Sequence, residues 1–181
     1  MALDGADAAD PAGLADALID PLRLRGRPAL RVSTRWYWRP ASVRLEHGHQ
    51  DPDAYYDDWL DAAAVRREVL DRLGPGGDGR YLPTLWDAAR DRATRAAYAV
   101  APPGAVLLLD GPLLLGRGLP FELTVHLRLS PDALARRTPA DLLWTLPAFA
   151  RYEQEVRPGE AADVVVRLDD PRHPAVQVSR R

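Results

Sequence analysis

"MALDGADAADPAGLADALIDPLRLRG", residues 1–26, is the stretch that decides the fold. A short apolar run, MAL, enters a polar turn, DGADAADPAG at 4–13. The turn opens into LADALIDPLRLRG, whose apolar residues recur at helical intervals and whose Gly26 is a helix stop. RPALRVS (27–33) follows as a short buried strand, so the order is strand, turn, helix, strand. Farther along, AVLLLDGPLLL (105–115) and ELTVHLRL (122–129) read as central strands, DAAAVRREVLDRL (61–73) as a helix closed by the breaker GPGGDG, and DALARR (132–137) and TLPAFARYEQEV (145–156) as helical stretches. ADVVVRL (162–168) reads as the last strand before a Pro-rich tail. Strands alternating with helices predict an α/β layer fold with a parallel sheet, in which ligands bind beyond the carboxyl ends of the strands.

Composition narrows the function classes. The 181 residues are 46% hydrophobic and 28% charged, as expected of one domain with a sizeable core. The net charge of −2 comes with scattered basic residues, so nucleic acid is not an expected partner. Cysteine is absent, which excludes thiolate chemistry and Cys-based zinc sites and suits a cytoplasmic home. Lysine is absent too: all 24 basic residues are arginines, so no Schiff base forms and no ammonium reaches a phosphate. No run approaches the ~20 apolar residues of a membrane span.

Six stretches, in order, resemble the uridine kinase family of P-loop phosphotransferases, especially its actinobacterial nucleoside-kinase-like branch, over nearly the whole chain. ALDGADAADPAGLADAL is similar to its first strand, phosphate loop and helix, DPDAYYDD (51–58) to its DHPDAFD segment, and PTLWDAARDR (83–92) to its nucleoside-contacting stretch and arginine. VLLLDGPLLL (106–115) resembles its V-x-x-x-E-G strand, VHLRLSPDALARR (125–137) the approach to its arginine-bearing lid, and FARYEQEVRP with ADVVV its closing helix and strand. The resemblance implies a three-layer P-loop NTPase-like fold with a central, mainly parallel sheet flanked by helices. It also implies a single domain over 1–181 with a reduced lid around 136–147. It places Trp86, Asp87 and Arg92 near a nucleoside-like subsite and Asp110 beside the phosphates; the plain alternatives are a core role for Trp86 and a turn cap for Asp110.

The chain departs from the family where phosphoryl transfer needs it most. The phosphate-loop pattern G-x-x-x-x-G-K-[ST] surrounds phosphate with backbone N–H groups, a lysine and a metal-binding hydroxyl. Gly5 fits the first glycine, but Asp10, Pro11 and Ala12 stand where Gly, Lys and Ser or Thr belong, and Asp7 adds a further carboxylate. Arg35, Trp36 and Tyr37 occupy the positions that resemble the catalytic D-D-F, and a guanidinium or an indole cannot act as the base. The lid stretch keeps Arg136 and Arg137, then breaks at Pro139.

RWYWRP (35–40) brings Arg35, Trp36, Tyr37 and Trp38 to the former acceptor pocket, either to bind a hydrophobic, aromatic or cationic molecule or to fill the space of a missing nucleotide. Arg44 and Arg92 are candidate clamps for an anionic or carbonyl group, or solvated arginines. EHGHQDPD (46–53) offers Glu46 and His47 for proton transfer, with a metal site and an ordinary polar loop as alternatives. His126 reads as a hydrogen-bonded strand residue. The expected catalytic set is thus Asp110, Glu46, His47 and Tyr37, with no cofactor and no metal. The expected partner is a small molecule, a homo-oligomer is compatible, and neither nucleic acid nor membrane is involved. The leading expectation is an NTP-independent enzyme of specialised metabolism. A pseudokinase holding a nucleoside-like ligand or a protein partner is the alternative, and a nucleoside kinase with residual activity comes last.

Overall fold

The computed structural model describes residues 1–179. The chain runs β1 (Ala2–Asp4), α1 (Pro11–Leu24), β2 (Ala29–Ser33), α2 (Ala41–Arg44), α3 (Pro52–Asp57), α4 (Ala62–Val65) and α5 (Asp71–Leu73). Four two-residue strands follow, β3 (Arg80–Tyr81), β4 (Trp86–Asp87), β5 (Arg92–Ala93) and β6 (Ala99–Val100). Then come β7 (Val106–Gly111), β8 (Thr124–Arg128), α6 (Pro131–Arg137), α7 (Leu146–Glu155), α8 (Pro158–Ala161), β9 (Val164–Arg167) and β10 (Ala175–Val178). The main sheet has the order β10-β9-β8-β1-β7-β2, parallel throughout except for β10.

This is the expected three-layer arrangement. Successive residues of a strand face opposite sides of the sheet, and in β7 both Leu108 and Leu109 are fully buried, each in a different core. Leu108 joins Leu3, Val125 and Leu127 beneath α1. Leu109 joins Val32, Val65, Val69, Leu114 and Tyr152 on the other side. Burial on both faces explains why this run has no polar alternation. Register sets Asp4 beside Gly111 on one flank and His126 on the other, so the carboxyl ends of the central strands meet at one edge.

Gly5, directly after β1, is required by packing: a Cβ there would lie 2.9 Å from Leu127 Cβ and 3.0 Å from its carbonyl oxygen. Gly111 has φ +154, and a Cβ on it would stand 1.8 Å from Thr34 Oγ1.

Three elements differ from the sequence reading. The helix expected over 61–73 is α4 and α5 joined by a π-helical stretch, Arg66–Leu70. The four short strands of 80–100 form two small ribbons, too brief to leave a periodic signal. ADVVVRL is not the last strand, because β10 pairs antiparallel with β9; its AVQV follows Pro174, and all four residues are exposed, so no apolar pattern marked it. Among the described residues no helix is long and apolar enough to cross a membrane. Gly5→Ala should destabilise the fold by about 1–3 kcal/mol through overpacking against β8, read as a lowered thermal midpoint, whereas an exposed control such as Ala135→Ser should leave it nearly unchanged.

Candidate functional site

The turn after β1 is shaped by its own aspartates. Ala6 is extended, Asp7–Ala9 form one 3₁₀ turn, and Asp10 sits in the left-handed region at φ 57, ψ 55. Aspartate tolerates that region better than most residues because its short side chain bonds locally. Here Asp10 Oδ1 accepts from the Gly13 N–H at 2.8 Å, and its carbonyl accepts from Leu14 N–H at 3.2 Å. Asp10 is therefore the N-cap of α1, with Pro11 in the first helical turn, where its missing N–H does least harm. The carboxylate lies so close that a Cβ on Gly13 would meet Asp10 Oδ2 at 2.1 Å. The positive end of α1 thus already holds an anion, supplied by the chain.

Asp7 turns the other way and accepts from Arg35 Nη2 at 2.6 Å, tying this turn to the 3₁₀ turn Thr34–Tyr37 that follows β2. Beside that pair opens a cavity of about 530 Å³. Four of the five tryptophans line it, Trp36, Trp38, Trp59 and Trp144, together with Tyr55 and Phe149. Trp38 and Tyr55 meet Trp59 edge-on, each with ring centroids 5.0 Å apart, and Trp144 stands 5.6 Å from both Tyr55 and Trp59. Offset and edge-on contacts of this kind hold the wall rigid.

Arg44, in α2, is the buried cation of this wall, whereas Arg35 is half-exposed and paired with Asp7. Its guanidinium is 5.0 Å from the Trp59 ring and 5.8 Å from Trp38, within cation–π range. Nε donates to Arg39 O at 2.6 Å and Nη2 to Ala88 O at 3.3 Å, while its ion-pair partner Asp91 is 3.9 Å away. The residue is 6% exposed, and burial pulls its pKa below the ordinary arginine value, with Asp91 opposing. This leaves a desolvated cation with mostly carbonyl partners beside an aromatic cavity.

The sequence candidates divide. Arg35, Trp36, Trp38, Arg44, Asp87 and Asp7 line the cavity. Asp87 is held below the usual carboxylate range by the Arg90 side chain and by the backbone N–H groups of Arg90 and Ala89. Trp36, Asp87 and Arg92 also line an adjoining open depression, and Trp86 donates its Nε1–H to Asp91 at 3.1 Å without reaching either wall. Gly5 packs on β8. Pro11 and Ala12 belong to α1.

The four residues expected to move protons are not on the cavity wall. Asp110 is 2% exposed and held by Arg31 through Nε at 2.7 Å and Nη2 at 3.3 Å; Arg31 is held in turn by Asp16 at 2.7 Å. Tyr37 is fully buried and donates to Leu82 O, and burial pushes its phenol well up. Glu46 and His47 lie exposed in the turn after α2. What the sequence reading missed was the rest of the wall: Tyr55, Trp59, Trp144 and Phe149 come from DAYYDDW and LLWTLPAF, and the readable signal was the concentration of aromatics in those two runs.

It also missed a buried polar cluster. Asp4, at the end of β1, has no exposed surface. It accepts from Leu114 N–H at 2.8 Å and Tyr152 OH at 3.1 Å, and lies 2.6 Å from His126 Nδ1. His126 is thus the hydrogen-bonded strand residue expected of it. Burial opposes its charged form, but Asp4 and Glu153 outweigh burial and raise its pKa to about 9.

No family model matches the chain, and no curated protein matches it in sequence. Solved structures share its fold. A possible uridine kinase from Bacillus stearothermophilus superposes with a TM-score of 0.73 at 17% identity, over 91% of this chain and 85% of the other. A candidate fructose transport system kinase from Silicibacter sp. TM1040 gives 0.63 at 23% identity, over 89% of this chain and 84% of that one. Phosphoribulokinase from Rhodobacter spheroides gives 0.58 at 11%, over 92% and 69%. The P-loop kinase-like fold is therefore shown.

Asp10→Ala should cost about 1 kcal/mol by loss of the cap, measured by denaturant unfolding, and Asp10→Asn should retain most of it. The His126 pair fixes a pH dependence. A group whose folded pKa of about 9 exceeds its unfolded 6.5 stabilises fully below pH 6.5 and loses that contribution as pH rises through 9. Unfolding free energy should fall across that window, and His126→Gln should flatten the fall.

Proposed function

We propose that the aromatic cavity binds a flat, largely apolar small molecule bearing an anionic or carbonyl group, and that this chain handles it without a nucleotide. The observation that carries the reading is Arg44: a buried cation against two indoles, its carboxylate partner 3.9 Å away, in a wall rich in aromatic rings. A volume of about 530 Å³ suits a small organic molecule. Conversion of that molecule by cyclisation, rearrangement or elimination fits the same reading, since a rigid wall can hold one reactive conformer. The carboxylates in the wall are Asp7, paired with Arg35, and Asp87, paired with Arg90.

The donor set around the turn does not suit a magnesium triphosphate. The Asp10 carboxylate occupies the N-terminus of α1, Ala12 has no hydroxyl, and the chain has no lysine. Two like charges about 4 Å apart at an effective dielectric of about 20 repel by about 4 kcal/mol, more than one added hydrogen bond returns. The proposed chemistry accordingly passes through neither a nucleotide nor its metal.

The wall tryptophans report on occupancy directly. In a fluorescence titration, 2-naphthoate should quench saturably in the micromolar range and naphthalen-2-ylmethanol about tenfold more weakly, the worth of one charge-assisted contact. Arg44→Met should abolish the difference between the two probes. ATP with magnesium, and uridine, should leave the signal unchanged at millimolar concentration. Micromolar binding of ATP with magnesium would revive phosphoryl transfer, uridine binding would favour a nucleoside-holding pseudokinase, and silence toward both naphthalenes would sink the proposal.

A further inference from the structure

His126 is 5% exposed, yet its Nε2 has no hydrogen-bond partner among the described residues. Asp4 takes the other ring nitrogen, Nδ1, at 2.6 Å, and its oxygens also accept from Leu114 N–H and Tyr152 OH. The proton of Nδ1 is therefore donated to Asp4, and the imidazole is fixed in one orientation, with Nε2 buried. Glu153 Oε1 approaches Nε2 to 3.8 Å, an ion-pair distance but too long for a hydrogen bond. His126 helps line a cavity of about 740 Å³ between α6 and α7, which shares with the aromatic cavity only Ala6 and Phe149. Its lining is largely apolar, with Leu127, Leu129, Leu134 and Leu146, and its polar side chains include His126, Arg128, Asp132, Glu153 and Gln154.

We propose that this cavity is a second ligand site, for an apolar molecule ending in a carboxylate, with His126 Nε2–H as its anchor. Glu153 shows which chemistry the nitrogen prefers, since the chain itself brings a carboxylate toward it without closing the distance. The Glu153 side chain is 45% exposed and can turn into solvent, so an incoming carboxylate takes its place at a true hydrogen-bond length while the hydrocarbon fills the leucine-lined body. Arg128, on the same wall, offsets the second negative charge. The elevated proton affinity of His126 keeps Nε2 a donor at neutral pH. This site does not depend on the aromatic cavity and survives if the function proposed for that cavity fails.

The test is titration of the full chain with octanoate and octan-1-ol, followed by the ¹⁵N resonances of the His126 ring and by calorimetry. Octanoate should bind saturably and shift Nε2, and octan-1-ol should bind about tenfold more weakly. Glu153→Ala, at a side chain that is 45% exposed, should tighten octanoate about threefold by removing a competing surface carboxylate. Leu134→Trp should block octanoate while leaving 2-naphthoate quenching intact. The proposal is overturned if octanoate does not saturate, if the alcohol binds equally well, if Glu153→Ala leaves affinity unchanged, or if Leu134→Trp does.

Discussion

The contact from Asp10 Oδ1 to the Gly13 N–H, 2.8 Å long, is the constraint on which the rest of the site depends. The first turn of a helix presents unsatisfied N–H donors and roughly half a positive charge. In a strand–turn–helix unit at the carboxyl edge of a parallel sheet, that end is where an external anion is expected to sit. Here a left-handed aspartate places its own carboxylate there, and the absence of a side chain on Gly13 makes room for it. Proline at the next position gives up a donor that an external anion would have used.

From that cap the consequences run outward. With Asp10 turned onto α1, Asp7 pairs with Arg35, and this ion pair docks the turn after β1 on the segment carrying Trp36 and Trp38. The aromatic wall then closes from elements distant in sequence: Tyr55 and Trp59 around α3, and Trp144 and Phe149 around α7. Arg44 is buried in that wall because two rings and two carbonyls replace the water it loses. Asp110 is quenched by the same logic on the opposite flank, where Arg31 and Asp16 form a closed charge chain.

The layer architecture was legible because its signals are local: the uninterrupted apolar run of β7, the strand–turn–helix opening, and the order of strands and helices. The chemistry of the turn after β1 was legible residue by residue, since Asp10, Pro11 and Ala12 announce it by type. Pair choice was not legible. Nothing in the spacing of Asp110 and Arg31, 79 residues apart, marks them as a bidentate pair, and Asp4 meets His126 only because β1 and β8 lie side by side in that register. Likewise Glu46 and His47 read as reactive by type, yet the turn after α2 leaves them in solvent. β10 escaped because an exposed edge strand carries no burial pattern.

The most direct measurement is a pyrophosphate titration followed at the amide resonance of Gly13. With the Asp10 carboxylate in place, that resonance should stay fixed through millimolar pyrophosphate, with and without magnesium. A saturable shift of Gly13 at micromolar pyrophosphate would mean that the end of α1 still accepts an external phosphate, and would contradict the claim that the chain fills that position with its own anion.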